Sequence, residues 1–485
     1  MKKKQLRWTL WTIASPFILF IILCILIYLP PIQNFLVDKA AVYASEATGM
    51  NISVGRISLS FPLNLVVTDV DAASPHKDTL LSVRRLQVNV QLLPLLKKQV
   101  EVDGISLQGA TVNSNDLIHG MRLNGTLGEL FISSHGVALD PETAIVNKVL
   151  LKDTDLSLCL NDTAAADTAA SDTTYWKIIL QDIDLQNVSF ALDMPLDSLS
   201  LAASLDNATL RDGLIDLHKS AYSLQTFRIK NGRVRYDSGR PSATASADSL
   251  SAGLDPSHIA LTDIGVKLDS LYYEGRNMKA IISQFVLKER SGVEIVSTEG
   301  RLVSNDKVLR VPSLKLETRD SYLELNAAMD WDALDFKKEG LVSARLMADI
   351  GKPDVVRFMG SMDEKFIRKY PSEPLRIRTG IDGDLNKLKL TTLTAELPGA
   401  LELFAKGELT SLTDSLLRGG DITLQAETKD LKFISTLAEG IEIPYGTRLE
   451  GKFTMAGPKM GTDLLLMQPE AHAVAAADTI PITVY

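Results

Sequence analysis

Cysteine is almost missing from this sequence, with two residues in 485. Cys24 lies inside an apolar run and Cys159 stands alone in a strand-like stretch, so neither a disulfide framework nor a thiolate metal site is available. A basic stripe is missing too. The formal charge is −9 and no Lys/Arg cluster follows the first seven residues, which argues against nucleic acid as a partner. The six histidines, His76, His119, His135, His218, His258 and His472, are isolated from one another and from cysteine. No pair has the spacing of a metal site. There is no G-x-S-x-G elbow, no phosphate-cradling G-x-x-x-x-G-K, and no G-x-G-x-x-G after a strand. Carboxylates are numerous but fall mostly in turns and on polar strand faces. A glycosidase-type pair, about 5–9 Å apart, needs no closeness in sequence and is the one enzyme reading left open. The expectation is a protein with no catalytic residues, no metal and no cofactor.

What the sequence does have begins at its first residues. Lys2, Lys3, Lys4 and Arg7 precede a largely apolar run from Leu10 to Leu29, with no charge between Arg7 and Asp38. A run of about 20 residues spans a bilayer as a helix. Trp8 and Trp11 at one end and Tyr28 at the other suit the aromatic belts, and the basic flank places residues 1–9 in the cytoplasm. The competing reading is a cleaved signal peptide, whose apolar core is about 7–15 residues with a small-residue cleavage site behind it. The longer core, with Pro30-Pro31 following, favours the anchor. Residues 31–48 then carry Ile32, Phe35, Leu36, Val42 and Tyr43 at helical spacing, ended by Gly49.

After Gly49 the period changes to two. Ile57, Leu59 and Phe61 alternate with Ser58 and Ser60, and Val88, Val90 and Leu92 with Asn89 and Gln91. Leu314/Leu316, Leu323/Leu325, Leu388/Leu390 and Ile422/Leu424 repeat the pattern. Strict alternation gives each strand one apolar and one polar face. The fold class expected is therefore all-β behind an N-terminal transmembrane helix, with a few short helices.

A weak repeat runs through the same region: Ile105-x-Leu107, Gln108-Gly109, Ala110-x-Val112, and Ile183-x-Leu185, Gln186-Asn187, Val188-x-Phe190. Longer versions join Val149-x-Leu151 to Leu156-x-Leu158 and Phe227-x-Ile229 to Val234-x-Tyr236, the last through Asn231-Gly232. Asn-Gly tolerates positive φ, so the spacers read as turns of stacked antiparallel hairpins. Chance matches within any all-β chain are the alternative. Helices are expected over 354–370 and 430–439. Residues 161–174, NDTAAADTAASDTT, read as a flexible loop between a 49–160 region and a 175–467 region. From 468 the alternation weakens into an atypical tail, as if the chain were truncated there. Asp-Ser and Asp-Thr pairs recur from Asp78-Thr79 to Asp478-Thr479. They are either ordinary turn residues or similar to O-glycosylation acceptors of Bacteroidota.

Thr48-Gly49, Ile57 to Pro62, Asp78 to Leu81, Pro94 to Leu96 and Ile105 to Gly109 follow the anchor in the order found at the start of AsmA/TamB-like proteins. Gly440 to Leu466 is similar to a strand-rich stretch of Bacteroidota-type TamB chains. The chain thus resembles the N-terminal part of the AsmA/TamB family. It departs from the family in lacking the long continuation and β-rich ending usual there. The resemblance implies an elongated, partly open antiparallel β-groove lined with aliphatic side chains, set in the inner membrane with its bulk in the periplasm. It implies membrane lipids as the ligand, with phospholipid moving toward the outer membrane. It also implies a second role, assembly of outer-membrane β-barrel proteins with a TamA- or BamA-like partner. A non-transporting envelope scaffold is the third reading. The residues expected to line the groove are Leu59, Phe61, Val88, Val90, Leu314, Leu316, Leu323 and Leu325.

Overall fold

The structure, a computed structural model, describes residues 49–60, 64–74, 79–91, 102–114, 120–138, 142–161, 175–239, 253–335, 340–359, 364–384, 386–412, 416–434, 444–457, 459–467 and 479–484, with single positions 39, 41, 42, 45 and 338. The predicted span, its flanks Lys2, Lys3, Lys4, Arg7, Trp8, Trp11 and Tyr28, Phe61, and loop residues 162–174 lie outside that set. No helix among the described residues is long and apolar enough to cross a membrane. Within 31–48 the described positions Lys39, Ala41, Val42 and Ser45 are helical. Gly49 follows with φ +68°, its N–H donating to Ser45 O at 2.9 Å. The remainder is nearly all β-strand, and the chain divides into two units between His218 and Lys219.

The first unit holds β1 (Asn51–Ser60), β2 (Asn64–Ala73), β3 (Thr79–Val90), β4 (Val102–Asn113), β5 (Met121–Ala138), β6 (Thr143–Leu160), β7 (Lys177–Met194) and β8 (Leu199–Asp216). From β1 to β6 each strand pairs antiparallel with the next. β7 then pairs with β6 in parallel, from Thr143 opposite Lys177 to Cys159 opposite Asp193, and β8 returns antiparallel to β7. This parallel pair corrects the expectation of a purely antiparallel arrangement. The strands on either side of the 161–174 segment are thus bonded to each other along nearly their whole length.

The hairpin reading of the repeat is corrected as well. Ile105 to Val112 lies within the single strand β4, Val149 to Leu158 within β6, and Ile183 to Phe190 within β7. The spacers are breaks inside strands. Asp69, Gly109, Asp153 and Asn187 have φ of 56°, 62°, 49° and 52°. Each of these residues and its counterpart on the next strand drop out of the pairing, and the register resumes unchanged beyond them. Val54 faces Val70 and Arg56 faces Thr68, for example, with Gly55 and Asp69 skipped between. The skipped positions line up across all eight strands as Gly55, Asp69, Arg84, Gly109, Gly128, Asp153, Asn187 and Asp206. A left-handed residue does not reverse side-chain direction as an extended one does, so alternation restarts in the opposite phase. Two successive polar-face positions result, and the apolar face stays continuous.

Glycine is needed along this crease because neighbours lie over it. A Cβ on Gly55 would stand 2.9 Å from Asp69 Cβ, and one on Gly128 would stand 2.8 Å from Asp153 Cβ. Asn187 Nδ2 donates to Asp153 Oδ1 at 2.9 Å, tying the crease across the parallel pair.

The second unit holds β9 (Ala221–Leu224), β10 (Thr226–Ser238), β11 (His258–Glu274), β12 (Asn277–Glu289), β13 (Glu294–Ser304), β14 (Val308–Thr318), β15 (Tyr322–Asp330) and β16 (Val342–Ile350). Two short helices follow, α1 (Lys352–Met359) and α2 (Glu364–Lys369). The strands resume with β17 (Leu375–Gly383), β18 (Lys387–Leu397), β19 (Leu401–Thr410), β20 (Gly419–Thr428), β21 (Arg448–Ala456), β22 (Lys459–Met467) and β23 (Thr479–Val484). Here the meander is antiparallel throughout. β9 and β10 both pair with β11 in one register, Leu224 opposite Leu271 and Phe227 opposite Leu268, so they are one strand interrupted at Gln225. The Asn231-Gly232 spacer is again no hairpin. It sits inside β10, with Asn231 at φ 52° and a register shift beside it.

The expected 354–370 helix is thus two helices. Of 430–439, Lys432 and Phe433 form a turn, Ile434 is in 3-10 helical conformation, and 435–439 lie outside the described residues. The tail beyond 467, where the alternation weakens, contributes β23, paired with β22. Dry packing is concentrated where α1 and α2 meet strand ends. Phe366, Tyr370, Leu397, Ala400, Leu431 and Phe433 form a buried cluster, with Val355, Ile367, Leu375 and Leu401 against it. The three aromatic rings stand 5.2–5.8 Å apart in tilted and edge contacts.

Candidate functional site

Strand pairing carries the apolar alternation of one strand into the next, because residues directly opposite share a face. In the first unit Leu59 stands opposite Leu65, and the row continues through Val88, Ile105, Ile132, Val149 and Ile183 to Leu210. Two residues along each strand, a second row runs from Ile57 through Val67, Leu86, Leu107, Leu130, Leu151 and Leu185 to Ala208. Beyond the crease Val54, Val70, Val83, Ala110 and Leu127 begin a third. Every member of the first row is half-buried, and in the second only Ala208 is fully buried. A conventional core would enclose most of them.

The second unit has the same construction with smaller residues. Leu316 faces Leu323, and the row passes through Ala348, Ile377, Ala395, Leu403 and Ala426 to Leu449. Leu314 faces Leu325, then come Leu346, Thr379, Leu393, Ala405 and Leu424. The alanines thin this face, and Ala348 and Ala405 are buried.

The structure therefore brings the sequence-predicted residues together by unit. Leu59 and Val88 lie in one row of the first unit, with Val90, opposite Val102, two positions beyond Val88. Leu314, Leu316, Leu323 and Leu325 make two cross-strand pairs in the second. Most of each row was missed, since single-strand alternation does not say which residues stand opposite one another.

The opposite face is polar. In the second unit Arg376, Glu396, Glu402, Glu427 and Arg448 form a transverse charged row. They border a shallow cleft of about 800 Å³ together with Arg378, Phe404 and Glu450. Its charges largely satisfy one another, Arg376 with Glu396 at 3.4 Å, Arg448 with Glu427 at 3.6 Å and Glu402 with Lys429 at 2.8 Å.

One carboxylate is wholly enclosed. Asp354, at the start of α1, accepts from the hydroxyl of Thr318, from Ser321 Oγ at 2.6 Å and from Arg357 Nη1 at 2.9 Å. Burial alone would raise its pKa. The Ser321, Thr318 and Arg357 hydrogen bonds more than offset that and hold it below the ordinary aspartate value of 3.8. Arg357 also pairs with Asp320 at 3.0 Å; burial works against its charge, but the two carboxylates raise its pKa further. The network pins α1 to the β14–β15 turn. Among the described residues no group of three or more His, Cys, Asp or Glu stands close enough to hold a metal ion. Comparison with protein-family models, curated proteins and solved structures gives no match.

Proposed function

We propose that this protein is an inner-membrane-anchored envelope protein whose strand rows carry the acyl chains of phospholipid toward the outer membrane while head groups stay in water. One observation supports the reading above the rest: in the first unit aliphatic rows run unbroken from strand to strand and are left largely half-covered, and the second unit repeats the construction with smaller residues. Burying a tail methylene is worth about 0.8 kcal/mol, so a tail lying across several strands offsets much of the cost of leaving a bilayer. Transport of this kind is passive and uses no reacting side chain.

The test is in-cell crosslinking with the full chain. A photoreactive phenylalanine analogue replaces Leu151 or Leu325 in the rows, and Lys152 or Glu324 on the polar face as controls. Phospholipid recovered from the row positions and not from the controls is the expected result. Lipid at neither row position sinks the reading. Crosslinks from the rows to an outer-membrane β-barrel protein would support the assembly role instead.

A further inference from the structure

We propose that a cleft of about 400 Å³ between the β12–β13 turn and the α1–α2 pair binds a small amphiphile with a carboxylate head. It stands independently of the lipid-carrying reading, because the cleft involves none of the row residues.

Six residues line it: Ser291, Lys352, Pro353, Val356, Arg357 and Ile367. Pro353, Val356 and Ile367 supply apolar wall, and Ile367 is backed by the aromatic cluster. The other three supply donors whose capacity is only partly used. Ser291 Oγ is buried and has no hydrogen-bond partner. That is a costly state for a hydroxyl that a ligand oxygen would relieve. Lys352 Nζ donates once, to Tyr370 O at 2.7 Å. An ammonium has three donors, and Lys352 has no ion pair among the described residues. Arg357 places both its ion pairs on Nη1. Its Nε and Nη2 have no partner among the described residues, and that edge of a guanidinium presents parallel donors to a carboxylate.

The turn that carries Ser291 is held in place. Ser291 N donates to Glu289 Oε2 at 2.5 Å, and Gly292 N to Glu289 O at 2.9 Å. Gly292, at φ +94°, lies under Arg357, where a Cβ would stand 3.2 Å from Nε. The volume is at the low end for small-molecule pockets, which run from about 300 to 1,000 Å³. Three donors, one of them an unpaired cation, beside an apolar wall select an anionic head on a short apolar body, which excludes a whole phospholipid.

The probe is a diazirine-bearing analogue of octanoate, photolysed with the full chain held in amphipol, the labelled peptides being identified by mass spectrometry. Saturable labelling of 290–293 and 352–357 is expected, competed by octanoate about tenfold better than by octanol. Val356→Trp fills the cleft and abolishes that labelling. Ser291→Ala weakens it about fivefold, as loss of one hydrogen bond should. Should V356W lose its cooperative melt, Lys352→Gln takes its place and must weaken labelling by a similar factor. Labelling that does not saturate, that spreads over the strand rows, that survives these substitutions, or that octanol competes equally well overturns the proposal.

Discussion

Asp354 shows how one side chain fixes an element. Two hydroxyls and a guanidinium close over its carboxylate, and Asp354 itself is fully buried. Asp354→Ala leaves Ser321 Oγ without an acceptor, Thr318 Oγ1 with only Ser321 O at 3.4 Å, and Arg357 with Asp320 alone. The expected cost is about 3 kcal/mol, the low end for breaking a buried pair, because Asp320 remains. Hydrogen exchange of the α1 and α2 amides reads this directly, rising there more than in β17–β20. The pH dependence follows from the sign of the shift. Because the folded-state pKa is depressed, the stabilisation is complete above the ordinary value of 3.8 and is lost as pH falls below it through the folded value. Melts of the native chain should therefore weaken on acidification through that range more than those of Asp354→Asn. Equal slopes for the two proteins would remove Asp354 from the account.

At the scale of the element, the crease is the feature that departs most from an ordinary sheet. Gly55 and Asp69 are its simplest pair, since the added Cβ at Gly55 meets chiefly Asp69 Cβ at 2.9 Å. Gly55→Ala should cost about 1–2 kcal/mol, the usual penalty of overpacking a tight contact. Asp69→Gly, at φ 56°, should be tolerated, because that conformation suits glycine. The double variant should recover most of the loss, a coupling that a double-mutant cycle in urea measures. Additive effects would mean that the two residues do not share the contact. The crease was half legible in the sequence. Two apolar couples separated by a polar doublet, as in Ile105-x-Leu107 and Ala110-x-Val112 about Gln108-Gly109, are its signature. The doublet reads as a turn because Asn, Asp and Gly favour turns and left-handed strand breaks for the same reason, their tolerance of positive φ. Local chemistry cannot separate the two outcomes; the partner strand decides.

At the scale of the whole molecule, strand content and the apolar faces could be read from period-two alternation. The parallel β6–β7 pair and the boundary at His218 could not, since both depend on which strands meet. The rows give the prediction that belongs here. Leu107→Asp places a charge in the middle of a row of half-buried aliphatics, where water still reaches it. It should leave the melting temperature within a few degrees, a surface-like cost of about 0.5–1 kcal/mol. Phospholipid recovered at a crosslinker on Leu151 should nevertheless drop at least about tenfold, since a tail methylene no longer meets a continuous apolar path. A large loss of stability with lipid recovery unchanged would mark the row as ordinary core.

The aligned crease also restricts how such a chain can change length. In each of the first eight strands, side chains on the two sides of the break keep to one face only because the phase switches there. Deleting Asn187 alone would remove the switch from β7 together with the residue that requires it, so Val188, Phe190 and Leu192 would keep the apolar phase of Ile183 and Leu185 but slip by one position against β6 and β8, whose breaks remain. A single-residue deletion at that point should be far more damaging than one at a strand end. Growth or loss of this unit by descent is then a matter of whole strands, each arriving with its break already at the matching distance from its turn.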